Sequence, residues 1–129
     1  MDEWGNYPRE RQRLFDLLAK TRAAGVVLLS GNAHFAEVSR TDEGPYPLID
    51  FTSSGLTHVN ATYPEAPNRY RVAGPFVELN FGLVEIDWDA EGGPVVEMAA
   101  IGVDGRRAFE YEVPLVSLAP QASDGRTSR

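Results

Sequence analysis

The sequence has 129 residues, of which 43% are hydrophobic and 24% are charged, a balance typical of one soluble globular domain with a core. The formal net charge is −7, which repels nucleic acid and excludes it as the main partner. Cysteine is absent, which excludes disulfides, thiolate catalysis and cysteine-based zinc sites.

Membrane insertion and secretion signals are also not indicated. No apolar run approaches the roughly 20 residues that a membrane-crossing helix needs, so no membrane partner is expected. The first residues lack the basic region and apolar stretch of a secretion signal. An export signal on a longer parent chain would not be part of this sequence, so the cellular compartment of the protein is not predicted.

The first predicted element is a helix over residues 6–22. Pro8 suits a first helical turn, where its missing N–H costs nothing. Leu14 and Leu18 are four residues apart and therefore lie on one face. Gly25 ends the helix, as glycine commonly does at helix C-termini.

A strand is predicted directly after the helix, at 26–29. The run is short, apolar and without alternation, which is typical of a strand buried on both faces. It ends in the polar loop 30–34. Because ligands gather beyond the carboxyl ends of such strands, this loop is the first place to look for chemistry. Two short strands at 35–40 and 46–51 follow, and then an irregular loop at 59–75.

Alternating apolar residues predict antiparallel β structure in the last third of the chain. The apolar positions shift by one residue beside Gly82, which predicts a β-bulge there. A strand at 94–101 and another at 109–113 flank Asp104 and Gly105, a dipeptide typical of a hairpin turn.

The expected fold class is α+β, with one main helix packed on a mixed, mostly antiparallel sheet. Residues 1–118 form the expected domain, and 119–129 are expected to be a disordered tail because they cannot offset the entropy of ordering. One helix covers one face of a sheet of five or six strands, not both. The second face is therefore expected to be polar, or to be covered by something outside this chain.

Residues around His34 have the chemistry of metal ligands. Asn32 lies two positions before it and Glu37 three after, and an imidazole, an amide carbonyl and a carboxylate all bind borderline or hard metal ions. Spacing alone favours a plainer interpretation, a loop histidine bonded to a backbone carbonyl beside a solvated Glu37. By the same reasoning His58, which ends a Ser/Thr-rich segment, is a surface residue.

The small polar residues 52–55 include Ser54 and mark a turn. Their backbone N–H groups could bind an anion, although a plain turn is the simpler interpretation. A nucleophilic serine is not supported, because the sequence has no Gly-x-Ser-x-Gly elbow and no evident triad.

Four segments, in this order, resemble the PhoD-like (alkaline phosphatase D-type) metallophosphoesterase family. They are the helix entry Trp4–Pro8 with Arg11, the strand and loop Val26–Glu37, the segment Leu48–His58 with its Thr-Ser-Ser-Gly-Leu-Thr-His run, and the strand Asn80–Trp88. The second is similar to the family's Ser/Thr-Gly-Asp-x-His motif. Each segment alone is weak evidence, but their combination over residues 4–118 is specific.

The resemblance implies the C-terminal half of a calcineurin-like sandwich and a role in hydrolysing phosphate esters. In that family a multi-metal centre with iron and calcium polarises the phosphoryl group and activates an oxygen nucleophile. The resemblance implies His34 as a metal ligand and Asn32 as a weak one. It implies that Glu37, Ser54 and His58 lie near the substrate or contact the metal ligands without binding the metal. Members of the family are often exported.

The sequence departs from the family in ways that weaken catalysis. Asn32 replaces the family's Asp and lacks its charge, and Ala33 replaces a frequent Arg that could contact phosphate. The family's other ligand motifs lie upstream of the segment that matches Trp4. The chain is therefore expected to hold no metal securely and to be inactive alone, with the missing N-terminal half or a homodimer covering the open sheet face.

Two alternatives to the phosphoesterase interpretation stay open. One is a truncated or degenerate fold that has no catalytic role. The other is a small module that binds an anionic ligand with the loops around His34 and His58.

Overall fold

The computed structural model describes residues 4–60, 62 and 67–120, and within them the fold is α+β, as expected. From residue 121 on, the predicted tail lies outside the described residues. Short 3-10 turns occur at Trp4–Asn6 and Leu115–Ser117. The helix and strands are α1 (Pro8–Thr21), β1 (Val27–Ser30), β2 (Ala36–Thr41), β3 (Leu48–Ser53), β4 (Arg71–Phe76), β5 (Asn80–Asp87), β6 (Val95–Gly102) and β7 (Arg107–Pro114).

The strands form two sheets, whereas the sequence was expected to give one. The first sheet is mixed and has the order β1-β3-β2-β4, with β1 parallel to β3 and the other pairs antiparallel. The second sheet is antiparallel and has the order β5-β6-β7. Strand periodicity reports which residues share a face but not which strands pair, so the division into two sheets was hidden.

The second sheet covers one face of the first. Phe51 of β3 and Met98 of β6 are buried in one core cluster together with Val38 of β2. A side chain at Gly82 would bring its Cβ within 2.8 Å of the Phe51 ring, so only glycine permits this close approach of the two sheets. Within the described residues, the second sheet thus covers the face of the first sheet that lies opposite α1.

Helix α1 packs against the opposite face of the first sheet. Phe15 and Leu18 are buried in the core cluster with Leu48 of β3. Because neighbouring residues of a strand point to opposite faces, Leu48 and Asp50 share the helix side, while Phe51 faces the second sheet. The helix ends at Thr21, and the left-handed residue that caps it is Arg22 and not the predicted Gly25. The predicted helix is confirmed to within two residues at each end.

The expectation that β1 is buried on both faces is wrong. Leu29 is 70% exposed, and Val27 and Leu28 are only partly buried. The reason is topological, since among the described strands β1 pairs only with β3 and forms an edge of the sheet. A continuous apolar run therefore does not distinguish a central strand from an edge strand here.

The predicted bulge at Gly82 is also wrong. The register between β5 and β6 is continuous from Asn80 to Asp87. Strand β5 is an edge strand with apolar side chains on both faces, including Phe81 at 49% and Val84 at 40% exposure. The shift in the apolar pattern therefore reflects this exposure and not an inserted residue.

The predicted irregular loop at 59–75 contains a strand. Strand β4 forms its last part and pairs with β2 through an irregular register. Pro75 concealed it from the sequence analysis, but proline is tolerated in a strand at the edge of a sheet. The predicted turn at Asp104 and Gly105 is confirmed as the hairpin between β6 and β7, where Gly105 N donates to Gly102 O. None of the described helices is long and apolar enough to span a membrane.

The contrast between Leu48 and Leu29 can be measured with the same substitution at both positions. We expect Leu48→Ala to lower the free energy of unfolding by about 2–5 kcal/mol, because Leu48 is 2% exposed and its loss leaves a cavity. Leu29→Ala should cost about 0.5 kcal/mol or less. Urea denaturation followed by circular dichroism measures both, and similar losses would contradict the exposed position of Leu29.

Candidate functional site

The site is built where β1 and β3 end. Because these strands are parallel, their carboxyl ends lie at the same edge of the sheet. Strand β3 lies between β1 and β2, so the loop 31–35 that joins β1 to β2 must cross the end of β3, a distance of about 10 Å or two strand spacings. The segment 54–60, which follows β3, therefore emerges directly beside this loop.

Hydrogen bonds from the segment after β3 hold the crossing loop in place. The Ser54 hydroxyl oxygen accepts from the backbone N–H groups of Ala33 (3.1 Å) and His34 (2.8 Å). Ser54 N donates to Phe35 O, and Asn60 N donates to His34 O. Ser54 was expected near the substrate, and the structure gives it this position between the two loops.

The backbone of the crossing loop is left-handed at two residues that are not glycine. Asn32 has φ = 64° and His34 has φ = 63°. Asparagine and histidine enter this region more readily than most side chains, but the conformation still costs about 1 kcal/mol or more per residue. The hydrogen bonds to Ser54 offset part of this cost, so the loop conformation depends on them.

The two histidines of the chain meet at this edge. The ring centroids of His34 and His58 are 3.9 Å apart, with the ring planes at 67° in an edge-to-face arrangement. The hydroxyl of Thr57 lies 2.9 Å from Nδ1 of His58. When one ring nitrogen is held by a hydrogen bond, the other is oriented for a ligand, so Nε2 is the available nitrogen of His58. Residues distant in sequence thus place two imidazoles together.

Glu37 is not solvated, although its spacing in the sequence favoured a solvated side chain. Its side chain is 11% exposed and accepts from Arg71 Nε at 2.6 Å and from Asn68 Nδ2 at 2.7 Å. Removing one partner of such a buried ion pair costs about 3–5 kcal/mol, because the other charge is left uncompensated. The Glu37 carboxylate is therefore committed to Arg71 and Asn68.

A cleft of about 550 Å3 opens on the helix side of the first sheet. Gly31, Asn32 and Ala33 of the crossing loop line one part of it, whereas neither histidine does. Its other lining residues are Trp4, Gly5, Arg11, Ser30, Phe35, Glu37, Ser39, Asp50, Thr52, Pro67, Asn68, Arg69, Tyr70 and Arg71. This volume lies in the range of small-molecule binding sites.

Asp50 is a carboxyl group on the wall of this cleft that comes from β3. Its oxygens accept hydrogen bonds from the hydroxyls of Ser30 (2.7 Å) and Thr52 (3.4 Å). Burial raises the pKa of Asp50, and the nearby Glu37 carboxylate raises it further, against the lowering effect of the two hydroxyls. The sequence analysis passed over Asp50, although a charged residue inside the apolar run 48–51 was a signal for it.

The rim of the cleft is organised around Glu43, in the connection between β2 and β3. Its carboxylate accepts from Arg11 of α1 (3.0 Å), from Arg69 (3.1 Å) and from the Tyr70 hydroxyl (2.9 Å). Arg69 also donates to the Tyr70 hydroxyl. These bonds join the helix, the connection and the segment before β4, so the rim is tied across three parts of the chain.

The structure brings together only some of the predicted site residues. His34 and His58 are in contact, Ser54 holds the loop of His34, Asn32 faces the cleft, and Glu37 is bound to Arg71. Among residues 4–60, 62 and 67–120, no group of three or more His, Cys, Asp or Glu side chains is arranged to hold a metal ion. Comparison with protein-family models, curated proteins and solved structures found no match to this chain.

The raised pKa of Asp50 fixes the sign of its effect on stability. The folded protein binds the proton of the Asp50 carboxyl more tightly than the unfolded chain does, so protonation of Asp50 stabilises the fold. This stabilisation is fully present below the ordinary pKa of 3.8 and is lost as pH rises through the raised pKa. We expect Asp50→Asn to remove this loss, so that the variant gains stability relative to the unmodified protein as pH rises through that window.

Urea denaturation over a pH series measures the difference. Asp89→Asn, in the exposed turn after β5, is the matched control because it changes the net charge equally. A difference between Asp50→Asn and the unmodified protein that does not change with pH would contradict the effect of burial on Asp50.

Proposed function

We propose that the chain is the C-terminal part of a PhoD-like, metal-dependent phosphoester hydrolase and that it does not turn over substrate alone. The observation that carries this proposal is the contact of His34 with His58 beyond the carboxyl ends of β1 and β3. Two sheets packed face to face, with a helix outside the first, are also compatible with one half of a calcineurin-like sandwich.

The imidazoles suit a metal ion in part. Neutral imidazole binds iron and other transition metals, and His34 with Nε2 of His58 would supply two nitrogen ligands. The two rings are in edge-to-face contact, with their centroids 3.9 Å apart. A bound metal would stabilise negative charge on the phosphoryl group and lower the pKa of a coordinated water.

Two nitrogen ligands are too few for catalysis. Zinc and calcium sites use about four to eight ligand atoms per ion, and phosphoester hydrolysis in the proposed family uses several ions. Glu37 is committed to Arg71 and Asn68, and it is not available as a further ligand without breaking that buried pair. The proposal therefore assigns the remaining ligands to the other half of the domain.

If catalysis requires the other half of the domain, the isolated chain should not hydrolyse phosphate esters. We expect no hydrolysis of p-nitrophenyl phosphate or bis(p-nitrophenyl) phosphate with added iron and calcium, because the ligand set is incomplete. Absorbance of released nitrophenol measures this. Turnover that is abolished by His34→Ala would show that the chain is a complete catalyst and would overturn this part of the proposal.

Metal binding tests the role of the loop itself. Asn32 already has the left-handed backbone that aspartate also tolerates, so Asn32→Asp should add a negative charge without disturbing the loop. We expect this substitution to strengthen Fe²⁺ binding about tenfold and His34→Ala to abolish it, as measured by anaerobic calorimetry.

Gln12→Glu on the exposed side of α1 adds the same charge and is the control for a general electrostatic effect. Equal affinities for Asn32→Asp and the unmodified chain would remove Asn32 from the site. Binding that persists in His34→Ala would remove the histidine pair and with it the proposed function.

A further inference from the structure

Asp50 differs from the other carboxylates of the cleft because no cation pairs with it within residues 4–60, 62 and 67–120. Arg71 bonds to Glu37, while Arg11 and Arg69 bond to Glu43. The partners of Asp50 are the hydroxyls of Ser30 and Thr52, which are neutral. Among the described residues that line the cleft, Asp50 is therefore the anionic group without a cationic partner.

The surroundings of Asp50 are rich in hydrogen-bond acceptors. A hydroxyl that donates its proton keeps lone pairs that can accept, so Ser30 and Thr52 remain acceptors while they donate to Asp50. Glu37 lies on the same wall of the cleft, but its charge is offset by Arg71. A group that brings both positive charge and several N–H donors fits this position.

These observations select one kind of cation. A guanidinium group is a planar fork that matches the two oxygens of a single carboxylate, whereas the acceptors here belong to three side chains, Asp50, Ser30 and Thr52. Calcium requires about six to eight oxygen ligands, which a single carboxylate and two hydroxyls do not provide. An ammonium group is a compact charge with three donors and can use the remaining lone pairs.

We propose that this cleft binds a primary alkylammonium group, with its nitrogen at Asp50 and its hydrogen bonds shared among Asp50, Ser30 and Thr52. The apolar stem of the ligand lies toward the aromatic lining residues Trp4 and Phe35. The same ammonium chemistry is supplied by a small free amine and by the lysine side chain of a polypeptide. The inference is independent of the proposed metal chemistry, because the histidines do not line the cleft.

The probe for the ammonium group is n-butylammonium chloride, added to the full chain at constant ionic strength. We expect saturable changes in the ¹⁵N NMR shifts of Ser30, Asp50 and Thr52. Neutral n-butanol has a similar stem, and tetramethylammonium has the charge without N–H donors, so neither should produce saturable changes at the same positions. This comparison uses the unmodified protein and does not depend on a variant that folds.

Asp50→Asn is the variant that tests the carboxylate. It keeps an acceptor oxygen but removes the charge, and we expect affinity for n-butylammonium to fall at least about tenfold. Asp89→Asn should keep the affinity of the unmodified protein, because residue 89 follows β5 in the other sheet. His58→Ala should also leave it unchanged, because His58 lies outside both the cleft lining and the crossing loop, and this separates the test from that of the metal site.

Binding of Nα-acetyl-lysine methylamide distinguishes a lysine side chain of a polypeptide from a small free amine as the natural occupant. Affinity at least about tenfold above that of n-butylammonium indicates a lysine side chain of a polypeptide as the occupant, and equal or weaker affinity indicates a small amine. Both results support the proposal. It is overturned if n-butylammonium gives no saturable change, if n-butanol or tetramethylammonium binds as well, or if Asp50→Asn retains full affinity.

Discussion

The parallel pairing of β1 with β3 determines the rest of the site, because it places the ends of both strands at one edge of the first sheet. With β3 between β1 and β2, the loop 31–35 has to cross the end of β3. Ser54 lies at the crossing point and accepts two backbone N–H groups from the loop. The left-handed backbone at Asn32 and His34 is sustained by these bonds, since neither residue would hold it at low energy alone. The approach of His34 to His58 is therefore a consequence of strand order.

Charge pairing accounts for the shape of the cleft beside this loop. Glu37 and Arg71 are both mostly buried, and each offsets the desolvation of the other. Glu43 joins Arg11 and Arg69 at the rim, where exposure to solvent makes each pair worth about 1 kcal/mol or less. The buried pair therefore fixes the wall, while the rim pairs mainly position the helix and the segment before β4. In the part of the chain that the structure describes, no cation pairs with Asp50, so part of the cost of its burial stays uncompensated.

The features that could be predicted from the sequence depend on local patterns, and those that could not depend on distant contacts. The helix and the turn at Asp104 and Gly105 follow from apolar spacing and turn chemistry, and both are present. The exposure of Leu29 depends on which strand lies beside β1, and the role of Gly82 depends on the approach of Phe51. In the site, the polar loop after β1 was evident from the sequence. The binding of Glu37 to Arg71 and the contact of the two histidines arise only when separate strands pair.

The crossing loop borders two chemically different regions. Asn32 and Ala33 line the cleft, whereas the next residue, His34, contacts His58 away from it. Only five residues span the end of β3. A backbone rotation at Asn32 or His34 would therefore move both the loop residues that line the cleft and the His34 ring. The hydrogen bonds from Ala33 N and His34 N to a single hydroxyl oppose that rotation. Ser54 thus has a structural role, because its hydroxyl holds the loop that borders both the histidine pair and the cleft.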